Sequence, residues 1–144
     1  MTPILRLLLK CLALICLTLP LARAELVVVV DARSPVTHLS QAEVVNIFMG
    51  RYRQFPGGDT AYPVDQPKSS EMRADFYQRL VEKSPSEINA YWARLHFSGA
   101  ARPPASADDG GEVLSYVLRT RGGIGYVERN KADSRFRVVL SLSP

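Results

Sequence analysis

Apolar residues along this chain change period repeatedly, and each change marks an element. Glu25-Leu-Val-Val-Val-Val30 is an unbroken β-branched run, suited to a strand covered on both faces. Asp31-Ala-Arg-Ser-Pro35 ends it. Leu39-Ser-Gln-Ala-Glu43 has the form of a capping box, with Ser40 as N-cap, Glu43 three residues on and Leu39 as hydrophobic staple. Val44, Ile47 and Phe48 follow at helical spacing, and Gly50 stands where a helix takes its left-handed C′ residue. From Arg51 to Asp59 the periodicity is lost in a basic, aromatic, glycine-containing loop with the turn signal Pro56-Gly57-Gly58.

The second half repeats the alternation. Ala61 to Gln66 reads as a short strand stopped by Pro67, and a polar turn then leads into a helix entered through Ser69 or Ser70, with Met72, Phe76, Leu80 and Val81 facing the core. Ser84-Pro85-Ser86-Glu87 opens another helix: Ser84 caps, Pro85 fits the first turn and Glu87 completes the box. Ile88, Trp92 and Leu95 form its buried stripe and Gly99 stops it. Ala100 to Ala107, with Pro103-Pro104, reads as an ordered surface loop. Asp108 or Asp109 caps a helix through Val113, Val117 and Leu118 to Gly122; Gly123–Val127 and Phe136–Leu140 are the closing strands. Strands alternating with helices predict an α/β domain, a layered sheet flanked by helices.

The first residues belong to a different pattern. Arg6 and Lys10 precede an apolar core from Cys11 to Leu21, and Ala22-Arg23-Ala24 has the small-x-small form of a signal-peptidase site. A signal peptide at 1–24 and a single mature domain at 25–144 are therefore expected, placing the protein in the periplasm with no membrane span after cleavage. Cleavage would remove Arg6, Lys10 and Arg23 but no acidic residue, lowering the formal net charge from +4 to +1. Nucleic acid then loses its electrostatic argument, which needs a clustered positive face. Both cysteines, Cys11 and Cys16, leave as well, so neither a disulfide nor thiol chemistry is expected.

Candidate chemistry concentrates between Pro63 and Tyr77. A helix N-terminus behind a strand and a serine-containing turn presents free backbone N–H groups and the positive dipole end, which together suit an anion. Ser69 and Ser70 either contact such a ligand or cap the helix. Arg73 either joins the amides or pairs with Glu71, Asp75 or a neighbouring segment. Asp31, Arg33 and Ser34 follow the first strand, a position where α/β sheets bind ligands, and read equally as a polar turn. Arg51, Tyr52, Arg53 and Phe55 offer a protein-docking surface, unless an aromatic tucks into the core. His38 and His96 stand singly, Asp108 and Asp109 read as helix caps, and no spacing suggests a metal or other cofactor. No serine shows a His/Asp pairing, so an enzyme is not expected.

Taken in order, Leu39-Ser-x-Ala-Glu-Val-Val-x-Ile-Phe-Met-Gly50, the Pro63–Phe76 stretch, Trp92 and Gly122-Gly-Ile-Gly-Tyr-Val127 resemble the phosphate-type substrate-binding proteins of bacterial ABC transporters. Members of that family are two-lobed and close around an oxyanion; this chain resembles a single lobe. The resemblance implies a type II periplasmic-binding-protein-like fold, phosphate or another small oxyanion as ligand, and a homodimer or an envelope protein as the second wall. The family's ligand loop reads approximately Ser-Gly-Thr-Arg-x-x-Phe. Ser70, Arg73 and Phe76 match it, while Glu71 and Met72 replace its glycine and threonine. Methionine cannot donate the hydroxyl hydrogen bond. A carboxylate about 4 Å from a bound anion costs on the order of 4 kcal/mol at an effective dielectric near 20. An exported binding or sensing accessory, or an interaction module with a decayed anion site, are the two functions expected.

Overall fold

The computed structural model describes residues 3–4 and 23–144, so the leader expected at 1–24 lies largely outside the described residues. The elements run β1 (Leu26–Asp31), α1 (Gln41–Phe48), β2 (Tyr62–Asp65), α2 (Glu71–Val81), α3 (Pro85–Ser98), β3 (Ala105–Ser106), α4 (Gly110–Arg119), β4 (Gly123–Glu128), a 3-10 turn (Arg129–Lys131) and β5 (Phe136–Leu142). The strands form one sheet in the order β3-β2-β4-β1-β5. β2 is parallel to β3 and β4, whereas β1 runs antiparallel to both β4 and β5. β1 is thus the one reversed strand, inserted between two neighbours from the far end of the sequence.

The uniform Val run of β1 explains that central place. Leu26, Val28 and Val30 pack with α1, α2 and α3, while Val27 and Val29 join Val113 and Val117 of α4 on the other face. A strand with apolar groups on both faces is stable only where helices cover both sides. At the edge, β5 bulges opposite Val28 and Val29, and the Leu39 amide donates to the carbonyl of the bulged Val139 at 3.0 Å.

Each major helix begins as its sequence dictates. Ser40, Ser70, Ser84 and Asp109 accept hydrogen bonds from the third helical amide, with full capping boxes at Ser40/Glu43 and Ser84/Glu87. Gly50 adopts φ +70°, and a side chain there would meet the Trp92 ring at 2.8 Å. Two expectations are corrected. Ala100–Ala107 is not wholly loop: Ala105 and Ser106 form β3, because β2 supplies ladder partners to residues of weak strand propensity. The last strand runs to Leu142, two residues beyond the expected Leu140.

Candidate functional site

Proline 67 stops β2 and the chain turns directly into α2, which brings the last strand residue and the first helical turn together. Asp65 and Arg73 meet there. Arg73 Nε donates to Asp65 Oδ2 at 3.0 Å, and the two side chains are only 4% and 9% exposed. The same carboxylate accepts from the Tyr77 hydroxyl at 2.9 Å and, on its other oxygen, from the Tyr126 hydroxyl. Asn89 of α3 accepts from Arg73 Nη2 at 3.3 Å. Burial, then the charge of Asp65, push both tyrosine hydroxyls well above the ordinary phenol range, so they act as donors. Phe76 stacks on Tyr126 at 3.6 Å between ring centres, and Phe48 abuts both edge-on, fixing the phenol over the carboxylate.

Arg73 therefore pairs with a neighbouring segment, and the segment is β2. Its guanidinium is turned into the protein, where removing either partner of such a buried pair costs about 3–5 kcal/mol. Ser70 Oγ is engaged as N-cap by the Arg73 amide at 3.3 Å. Ser69 is exposed. Gln66, next along the chain, is buried; its side chain donates to the Tyr126 carbonyl and lies beside Gly110 at the start of α4. The start of α4 thus lies against a buried amide side chain. Glu71, Asp75 and Glu128 line one surface cleft with Arg23, Asp108 and Asp109 are exposed at the entry to α4, and Lys68 is exposed in the turn before α2.

Asp31, Arg33 and Ser34 lie elsewhere. Val30 pairs with Ile124 and Tyr62 with Gly123, so the end of β1 adjoins the beginnings of β2 and β4. Ser69, Ser70 and Arg73 follow the end of β2, at the opposite end of the strands. The structure does not bring these two groups of residues together. The strand-end rule applies to the parallel strands, and β1 runs against them. Within its own turn, Arg33 grips Asp31 through Nε at 3.0 Å and Nη2 at 2.6 Å, and its amide adds a third bond. Those bonds hold the Asp31 carboxyl down at about 2.

Asp65, Gln66, Tyr77, Asn89 and Tyr126 were not singled out by sequence. The signal for Tyr126 is the Ile-Gly-Tyr strand itself: Gly125 has space for no side chain, since a Cβ would meet Val113 at 2.7 Å, and the next residue carries the hydroxyl inward. Among the described residues no three His, Cys, Asp or Glu side chains converge as a metal would require. No described helix is long and apolar enough to cross a membrane.

This arrangement is the fold of phosphate-type substrate-binding proteins. It is similar to a phosphate ABC transporter substrate-binding protein with bound phosphate from Clostridium perfringens (TM-score 0.63, 16% identity), covering 81% of this chain and 45% of that one. An ABC-type phosphate transport receptor from Vibrio cholerae (TM-score 0.62, 16% identity) matches over 81% and 46% of the two chains, and PstS from Borrelia burgdorferi (TM-score 0.61, 16% identity) over 83% and 47%. The chain spans a little under half the length of these structures, which fits one lobe of the architecture. No protein-family profile matches it, and no curated protein sequence does.

Proposed function

We propose that the protein is an exported, non-enzymatic binding or sensing accessory of the cell envelope, in which the entrance to α2 is one wall for a small oxyanion. The observation that supports this reading is the Ser70-capped helix start beside β2 within a phosphate-binding-protein fold. Ser69 and the first amides of α2 would supply the contacts, and Arg73, held by Asp65, would position the helix instead of touching the ligand. Asp31, Arg33 and Ser34 would take part only through a second molecule, since the sheet separates them from Ser70. One wall with acidic neighbours predicts weak binding that a second surface, from another copy or an envelope protein, would complete. Thermal unfolding of the purified protein with phosphate tests it. A millimolar Kd gives about 1.4 kcal/mol of stabilisation at tenfold excess over Kd, and Glu71→Gln increases the effect. No stabilisation in either form overturns the ligand reading.

The buried Asp65–Arg73 pair favours a second reading, a protein-interaction module whose anion site has lost its arginine to the core. Of the loop expected to dock a protein, Phe55 is tucked into the core at 3% exposure and drops out, which leaves Arg51, Arg53 and Tyr52, the last 62% exposed, as available surface. Binding of a membrane-protein partner that survives Ser69→Ala distinguishes this reading from the first.

A further inference from the structure

The loops at the amino ends of β2 and β4 gather arginines that the oxyanion wall does not use. Arg33, Arg119 and Arg121 line a surface cleft of about 990 Å³ with Tyr62 and Thr120. Arg51 and Arg53 line a second, of about 410 Å³, with Tyr52. Phe55 lines both, so the two clefts adjoin on either side of it. The backbone joins them firmly: the Ala61 amide donates to the Arg53 carbonyl and the Tyr62 amide to the Gly122 carbonyl.

Charge in this region is unbalanced. Arg33 is cancelled by Asp31, and Arg119 meets Glu112 only at 3.9 Å while lying over the Tyr116 ring. Among the described residues Arg51, Arg53 and Arg121 make no ion pair. Two carboxylates stand against them, Asp59 in the larger cleft and Glu43 in the smaller, and Glu43 already accepts the Ser40 amide at 2.7 Å. Tyr52 and Tyr62 are 62% and 47% exposed on either side.

We infer that these two adjoining clefts, with Arg51, Arg53 and Arg121 as their cations and Tyr52 and Tyr62 as their aromatic flanks, dock an acidic polypeptide segment. A small oxyanion could meet the arginines of one cleft only; an extended acidic chain can span both. Exposed arginine beside tyrosine is the composition that interfaces favour, and complementary charge sets their specificity and rate of association. The inference builds on the interaction reading above and names its partner class. It does not depend on the oxyanion wall, which lies at the other end of the sheet.

Fluorescence anisotropy of a labelled glutamate-rich peptide against the purified protein tests it, with a glutamine-for-glutamate peptide and vesicles containing phosphatidylglycerol as the other probes. The glutamate peptide is expected to bind at least about tenfold more tightly than its glutamine counterpart, and to weaken about tenfold as salt rises from low to physiological strength. Arg51→Gln/Arg53→Gln/Arg121→Gln should lose this binding while keeping the wild-type unfolding midpoint, because all three side chains are exposed. Ser69→Ala should leave it unchanged. Equal affinity for both peptides, binding that persists in the triple variant, or preference for the vesicles overturns the proposal. Because phosphate stabilisation is measured separately, failure here leaves the oxyanion reading standing, and the converse holds.

Discussion

At the carboxyl ends of β2 and β4 Arg73 is spent inside the protein on Asp65 and Asn89, and Arg129 is paired with Glu25, while exposed Lys68 and Lys131 stand among the carboxylates Glu71, Asp108 and Asp109. At the amino ends of the same strands the cations are outside, and Arg51, Arg53 and Arg121 have no carboxylate partner among the described residues. Over residues 25–144 the 15 Lys and Arg nearly balance the 14 Asp and Glu, which hides this division. What separates the two ends is solvation rather than residue type. A guanidinium buried against a carboxylate is fixed in one geometry and holds elements together, whereas a hydrated guanidinium keeps its capacity for a partner.

The sharpest way to break the comparison is at Asp65. Asp65→Ala leaves Arg73 charged and unpaired in the core and removes the acceptor of two tyrosines, so it should cost about 3–5 kcal/mol in urea unfolding. Arg121→Ala, at the exposed end, should stay within about 0.5 kcal/mol. Equal losses would erase the distinction. Gly122→Ala comes next: at φ +83° its Cβ would run into the Thr60 carbonyl oxygen, and a loss of about 2–3 kcal/mol is expected, together with weaker acidic-peptide binding.

Smaller effects sharpen the picture. Ser70→Ala should lower stability by about 1 kcal/mol without phosphate present, while Ser69→Ala should not, since only Ser70 caps α2. If both are silent in unfolding, the cap assignment is wrong. The smallest effect is the acid response of the Asp31–Arg33 turn. The folded carboxyl titrates at about 2 against an ordinary 3.8, so its contribution is complete above pH 3.8 and disappears as pH falls through about 2. Arg33 is 82% exposed, so solvent screening keeps this contribution small. Comparing wild type with Arg33→Ala from pH 5 to 2 should show the stability difference shrink; a constant difference would place the effect elsewhere.

Local chemistry made much of the architecture readable. Ser40/Glu43 and Ser84/Glu87 announced two helix starts because a capping box is complete within four residues. The central position of β1 followed from its two apolar faces. Its reversed direction did not, because direction is decided by partners about a hundred residues away. That single unknown displaced Asp31, Arg33 and Ser34 from the expected ligand end. β3 escaped notice because its two residues are strand only by virtue of β2. Arg73 was open to several partners in sequence. Its choice of Asp65 depends on the Pro67 turn folding α2 back on β2, which residue spacing alone does not specify.

The reversed strand has a further consequence, in time rather than in space. β1 is the first of the described strands in the sequence, but both of its ladders are made with β4 and β5, the last two of them. Closing those contacts means ordering most of the intervening chain, the kind of long-range pairing that slows folding. β1 consequently stays unpaired until β4, about a hundred residues further on, is available. Closure of its two ladders is therefore expected late in folding, after the helices and parallel strands between them have ordered.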